Sequence, residues 1–225
     1  AERDPEQIGI NTSEHFAQAD GLAHTDYLHL IDALSTSQAK KVTSAEKLAI
    51  SWLETRTERE VVLYEHITRI AHHIIAEGFS EKVIHPGITT TEDVVSWYRN
   101  RVNELGLDTW FHPTVDVQRA DVENVASQRS FSKRPDKQVI MPGDLVHVDF
   151  GITYLDMNTD TQENAYILKP GETEAPTYLR QAHQTALHLM DILTDNFKVG
   201  RTGNEILLAA IDEAKAEGIK PTIYT

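Results

Sequence analysis

A repeated helix unit limits the fold more than any other feature of this chain. Gly87-Ile88-Thr89-Thr90-Thr91-Glu92 opens one helix, and Glu104-Leu105-Gly106-Leu107 closes it. Gly200-Arg201-Thr202-Gly203-Asn204-Glu205 opens another, closed by Glu217-Gly218-Ile219. Both read Gly-x-Thr-x-x-Glu, an apolar helix, a Gly stop and an aliphatic residue, with spacings that differ by one residue. A capped helix that ends in Gly is common by itself. The segments after the two copies also agree. The first copy enters a strand at Thr109-Trp110-Phe111-His112-Pro113, and the second enters Thr222-Ile223-Tyr224-Thr225. A duplicated α/β half-domain with a pseudo-twofold axis is the natural reading.

Other elements can be placed around these units. Residues 7–12 alternate weakly and predict a short strand. Thr25 to Leu34 reads as a helix. Thr43 with Glu46, and Thr57 with Glu60, form capping-box patterns. The second opens a long helix with Val61, Tyr64, Ile67, Ile70, Ala71, Ile74 and Ile75 on one broad face and a stop at Gly78. His72 and His73 lie on it and point about 100° apart, so they are read as surface or boundary residues and not as a shared metal site. Thr89 and Glu92 suit a capping box for a helix that runs to about Leu105. Trp110 to Arg119 has strand character, interrupted at Pro113. Residues 120–138 read as a polar loop, and Met141-Pro142-Gly143-Asp144 as a turn. Leu145–Gly151 and Thr159–Leu168 read as strands, and helices are expected from Pro176 to Phe197 and from Gly203 to Glu217.

The composition narrows the classes of function. The 225 residues, 40% of them hydrophobic, allow one large domain or two small ones with a real core. With no cysteine there is no disulfide framework, Cys-ligated zinc or thiol nucleophile. Lys and Arg number 21 against 35 Asp and Glu, a net charge of −14, and there is no basic run, which argues against nucleic-acid binding. No apolar stretch approaches the roughly 20 residues of a membrane-spanning helix. The polar start Ala1-Glu2-Arg3-Asp4 lacks a signal core, but a chain that begins with Ala leaves a removed signal open. Cytoplasm and periplasm both fit a cysteine-free chain.

The most informative stretch runs from Leu145 to Asp160. Asp149 sits in a strand that otherwise looks buried, and a lone buried carboxylate is costly unless it is paired or metal-bound. A hairpin turn at Tyr154-Leu155 would put Asp149 directly opposite Asp160, with Cβ atoms roughly 4.5–5.5 Å apart. Two like charges there repel, and a bound cation is the usual reason to tolerate that. The residues alone leave an alternative open: a solvated Asp160 at a strand end and a hydrogen-bonded Asp149. The turn also lacks the usual Asn-Gly or Gly. By period two, His147 shares the sheet face of Asp149.

The segment Pro142-Gly143-Asp144-Leu145-Val146-His147-Val148-Asp149-Phe150-Gly151, with Asp160 eleven residues after Asp149, resembles the first metal-ligand hairpin of the pita-bread metallopeptidases. That family includes methionine aminopeptidases, Xaa-Pro aminopeptidases, prolidases and creatinases. The duplicated half-domain is similar to its pseudo-twofold. Pro86-Gly87-Ile88-Thr89 and Gly200-Arg201-Thr202 resemble its helix starts. Ile8-Gly9-Ile10-Asn11 resembles the end of the N-terminal domain in the Xaa-Pro branch.

The resemblance implies an α/β (α+β) pita-bread creatinase/aminopeptidase fold, with its C-terminal part missing. Residues 1–42 would be the end of an N-terminal domain and linker, and residues 43–225 the incomplete catalytic domain. Asp149 would be a bidentate ligand to one metal and Asp160 would bridge two. The metals would be manganese or cobalt, with zinc also compatible. His112 would be the substrate-contacting catalytic histidine, and His147 a supporting or packing residue. There are two departures from the family pattern. Thr161-Gln162-Glu163 follows Asp160 where many members carry Thr-Arg. The family's further His and two Glu ligands, one Glu the general base, should lie beyond residue 225, which leaves room for this chain alone to be inactive. The implied activity is release of an N-terminal residue from a peptide, at Xaa-Pro bonds, by a hydroxide held between two metals. The implied assembly is a homodimer. The alternatives are a metal-free pita-bread binding module and a creatinase-like hydrolase of a small non-peptide C–N bond.

Overall fold

The two repeated helix units fold with the same hydrogen-bonded ends. In the computed structural model, which describes residues 5–119 and 137–223, the helix of each unit is capped by a threonine. Thr90 and Asp93 form a reciprocal capping box before α5 (Thr91–Glu104), and Thr202 and Glu205 form one before α7 (Gly203–Ala216). The expected Thr89–Glu92 box therefore sits one residue later. The Thr89 hydroxyl is engaged elsewhere: it accepts from the His85 amide and donates to the Val83 carbonyl. Both helices end in a Schellman motif. Gly106 and Gly218 take φ of 67° and 78°, and the next amides, of Leu107 and Ile219, reach back to the carbonyls of Val102 and Ala214.

The chain divides into two compact units, Ala1–His66 and Ile67–Thr225. In the first, β1 (Ile8–Ile10) pairs in parallel with β2 (Val42–Ser44). α1 (His24–Ala33) and α2 (Thr36–Ala39) lie between these strands in sequence, and α3 (Glu46–Glu54) follows. The expected Thr43–Glu46 box does not form, because Thr43 is taken into β2 opposite Gly9. Ser44 Oγ meets the Glu46 amide instead, and the Glu46 carboxylate accepts from Ser13 Oγ at 2.6 Å. The Thr57–Glu60 box does form, at the start of α4 (Glu58–Gly78).

The second unit holds the core. β4 (Thr114–Gln118), β5 (Leu145–Phe150) and β8 (Thr161–Tyr166) form an antiparallel sheet in the order β4-β5-β8. A smaller sheet, in the order β3-β6-β7, joins β3 (Asp108–Thr109), β6 (Ile152–Tyr154) and β7 (Met157–Asn158). Strict alternation sends Val146, Val148 and Phe150 to the side of α4 and α5, and sends Leu145, His147 and Asp149 to the other face. The core gathers Ala71, Ile74 and Ile75 from α4 with Val94, Val95, Tyr98 and Val102 from α5. His72 and His73 are exposed on α4, as expected, and His72 pairs with Glu163 at 3.1 Å.

Tyr98 packs its ring 5.2 Å from that of Phe150 and donates to the Ile75 carbonyl. Burial pushes its hydroxyl pKa up. A Cβ at Gly78 would lie 2.5 Å from the Tyr98 ring. Gly78→Ala is therefore expected to cost about 1–3 kcal/mol by overpacking, read as a lower midpoint in urea unfolding. An unchanged midpoint would mean that the α4–α5 contact yields freely.

α6 (Thr177–Asp195) and α7 form a helix pair around Ile192, Ala210 and Ala214. Buried Asn196 ties it together: its amide donates to the Ile192 carbonyl and the Glu213 carboxylate, both at 2.9 Å. Two expectations differ here. Of the expected Trp110–Arg119 strand only Thr114–Gln118 forms, as β4, because Pro113 has no amide to donate and residues 110–113 leave the ladder. Thr222 and Ile223 form no strand, and Tyr224 and Thr225 lie outside the described residues. The polar loop expected over 120–138 falls largely outside them too.

Candidate functional site

The strand register decides which side chains share a face with Asp149. The ladder pairs Asp149 with Gln162 on β8 and with Thr114 on β4. This corrects the expected register, in which Asp160 was directly opposite. The hairpin turns at Leu155-Asp156, not Tyr154-Leu155, with φ of 50° and 60°. A tight hairpin needs two consecutive left-handed residues, and Asp tolerates that conformation better than Tyr. Burial of Ile152, Met157 and Thr159 favours the shifted register: Thr159 Oγ1 accepts from the Ile152 amide at 3.0 Å, out of solvent. The shift is two residues, so Asp160 keeps the face of Asp149 and becomes its diagonal neighbour.

The electrostatics of Asp149 report this closeness. Burial pushes its carboxyl above the usual range, the like charge of Asp160 adds to the rise, and a hydrogen bond that the protonated Asp149 donates to Asp160 works in the same direction. Nearby His147 acts the other way. Asp149 Oδ1 and His147 Nδ1 are both buried and find no hydrogen-bond partner among the described residues. A buried carboxylate oxygen without a donor is an unmet acceptor, which a cation satisfies. Two hard carboxylates suit a divalent cation such as manganese. The described residues supply this pair and not a full ligand set: among them, no group of three or more His, Cys, Asp or Glu side chains could hold a metal.

The other polar groups follow from the same register. His147 Nε2 lies 3.1 Å from Gln162 Oε1, so His147 orients the residue opposite Asp149. Gln162 escaped the sequence reading because the expected register turned attention to Asp160. His112 is exposed in the segment before β4, two residues from Thr114, which faces Asp149. It is thus at the same end of the sheet as the carboxylate pair. Gly151 closes that end. A Cβ there would collide with the Thr159 carbonyl and lie 2.8 Å from the Phe111 ring. Farther along the same face, a groove of about 960 Å³ runs between Leu145, Asn164 and Tyr166 and the first turns of α6. None of the three candidate residues lines it. None of the described helices is long and apolar enough to cross a membrane.

Comparison with known proteins adds family and fold. The model of metallopeptidase family M24 matches residues 65–224. No curated protein matches the chain. Among solved structures, the X-Pro aminopeptidase from Thermotoga maritima MSB8 superposes with a TM-score of 0.65 at 16% identity, over 89% of this chain and 52% of that one. The prolidase from Pyrococcus horikoshii OT3 gives 0.63 at 17% identity, over 88% and 52%. The Xaa-Pro dipeptidase from Bacillus anthracis gives 0.60 at 20% identity, over 89% and 52%. The chain thus spans about half the length of these proteins.

Proposed function

Because the chain belongs to metallopeptidase family M24 and has its pita-bread fold, we propose that it serves a metal-dependent peptidase that releases N-terminal residues, at Xaa-Pro bonds. One observation carries the reading: the buried, unpartnered oxygen of Asp149 beside the Asp160 carboxylate. Asp149 and Asp160 would hold divalent cations, with manganese or cobalt favoured by the oxygen donors. When bound, such cations polarise a carbonyl oxygen and lower the pKa of water.

The protein's own residues would do the rest. His147 and Gln162 restrain each other on the sheet face of Asp149, with Gln162 in the position opposite it. His112, at the same end of the sheet, would donate a hydrogen bond to the oxygen that gains charge as the peptide carbonyl is attacked. Of the three superposed proteins, two are named for Xaa-Pro bonds and the third is named a prolidase, and this supports the choice of bond.

The test is hydrolysis of Ala-Pro-Ala and Ala-Ala-Ala with added Mn²⁺. Asp149→Asn and Asp160→Asn are each expected to lower the rate on the proline peptide by at least about a hundredfold, beyond the usual effect of losing a residue that only supports a ligand. His112→Ala is expected to lower kcat by about 10²–10³ with little change in KM. Full activity of Asp149→Asn would sink the proposal and favour the metal-free binding module.

A further inference from the structure

Two residues before Asp149, the same strand carries a second unmet acceptor. His147 and Asp149 are both on β5, and strict alternation gives them one face. Two steps of strand separate their backbones by about 6.6–6.8 Å, close enough for both side chains to lean toward one ion. The His147 ring is fixed at one nitrogen: Nε2 lies 3.1 Å from Gln162 Oε1. A carboxamide oxygen only accepts, so Nε2 carries the hydrogen and Nδ1 of the neutral ring is bare. Nδ1 is buried and without a hydrogen-bond partner among the described residues, and so is Asp149 Oδ1. Two bare acceptors cannot satisfy each other, whereas one cation satisfies both. A metal-bound histidine characteristically donates its other N–H to a carbonyl or carboxylate, which fixes the tautomer and the ring. Gln162 supplies such an oxygen, from the position directly opposite Asp149.

We infer that His147 Nδ1 is a nitrogen donor to a divalent cation held by Asp149, and that Gln162 is the positioning residue that keeps Nδ1 bare. The inference rests on the reading of Asp149 as a cation ligand and deepens it, because a nitrogen donor changes which metal the site prefers. Carboxylates suit manganese, whereas imidazole suits zinc and nickel. A neutral ring adds this donor without adding charge to a site that already holds two carboxylates. His147 and Asp149 are a pair and not a full set: among the described residues, no three His, Cys, Asp or Glu side chains form a group that could hold a metal. A cation on the pair therefore keeps open positions, as catalytic metal sites do. A buried water would also serve a bare Nδ1, but it would leave the metal preference to the carboxylates alone.

The experiment is two-bond ¹H–¹⁵N NMR of the full chain labelled with ¹⁵N-histidine and titrated with Zn²⁺, a diamagnetic ion. Eleven histidines give eleven ring patterns, and His147→Phe assigns one by removing it. Before metal, the His147 pattern should be that of the Nε2–H form. With Zn²⁺, its Nδ1 resonance should leave the bare-nitrogen range and saturate, and Asp149→Asn should abolish that shift. Competition between Zn²⁺ and Mn²⁺ reads the preference. His147→Phe is expected to weaken Zn²⁺ about a hundredfold and Mn²⁺ about tenfold, so the ratio of the two affinities falls about tenfold. Gln162→Leu is expected to weaken Zn²⁺ about tenfold and to release the His147 tautomer. Asp149-dependent Zn²⁺ binding that leaves His147 Nδ1 unmoved, or an unchanged ratio in His147→Phe, would overturn the inference and leave the reading of Asp149 intact. An Nδ1 shift that survives Asp149→Asn would overturn the shared site. No Asp149-dependent binding of either ion would overturn the inference together with the reading beneath it.

Discussion

Arg119→Met is expected to destabilise the fold by about 1–3 kcal/mol, the usual cost of leaving a buried acceptor without its partner. Asp144 is almost wholly buried, and Arg119 grips it with both arms of its fork: Nε to Oδ1 at 2.7 Å and Nη2 to Oδ2 at 2.9 Å. Oδ2 also accepts from the Met141 amide at 2.7 Å, and Arg119 Nη2 donates to the Val139 carbonyl. The pair thus ties the end of β4 to the turn that starts β5, on either side of residues 120–138. Methionine fills a similar volume and, among the described residues, leaves the buried carboxylate with the Met141 amide as its donor. Urea unfolding at pH 7 checks the size. A loss below about 1 kcal/mol at pH 7, typical of a surface pair, would show that the bridge is not a structural anchor.

Asp149→Asn is expected to act in opposite directions with and without metal. The folded Asp149 has a raised pKa, so the folded state holds its proton more tightly than the unfolded state. Its favourable contribution is present below the unfolded value, near 4, and is lost as pH rises through the folded value. At pH 7, without metal, the charged carboxylate is therefore a penalty, and the Asn variant should unfold at a higher temperature than wild type. At pH 3 the two should converge. With Mn²⁺ the order should reverse: at a free concentration about a hundred times its Kd, a bound cation stabilises the wild type by about 2.7 kcal/mol, whereas the variant should gain almost nothing. Thermal unfolding at two pH values, with and without Mn²⁺, reads all four arms. A variant less stable than wild type at pH 7 without metal would mean that Asp149 is satisfied inside the fold.

Much of this was legible in the sequence because it depends on local chemistry. The Gly106 and Gly218 stops, the Thr202–Glu205 box and the long apolar face of α4 each rest on residues within one or two turns. Period two placed His147 and Asp149 on one face of β5 correctly. What was not legible depends on contacts distant in sequence. Thr43 could cap a helix or join a strand, and its pairing with Gly9 decided. The hairpin register depended on the buried Thr159–Ile152 contact, which no local spacing reveals. Trp110 read as a strand aromatic, because the break that takes residues 110–113 out of the ladder lies where Gly151 meets Phe111 and Thr159. An error of two residues in register left the carboxylate pair on one face, where an error of one would have separated it.

The most direct measurement is titration calorimetry of the chain with Mn²⁺ at pH 7, beside Asp149→Asn and Asp160→Asn. If the two carboxylates hold a cation, the wild type releases a saturable heat, and each variant binds at least about a hundredfold more weakly. Equal heats from all three proteins, or none from the wild type, would contradict the account, because the unpartnered oxygen of Asp149 would then have no cation to serve.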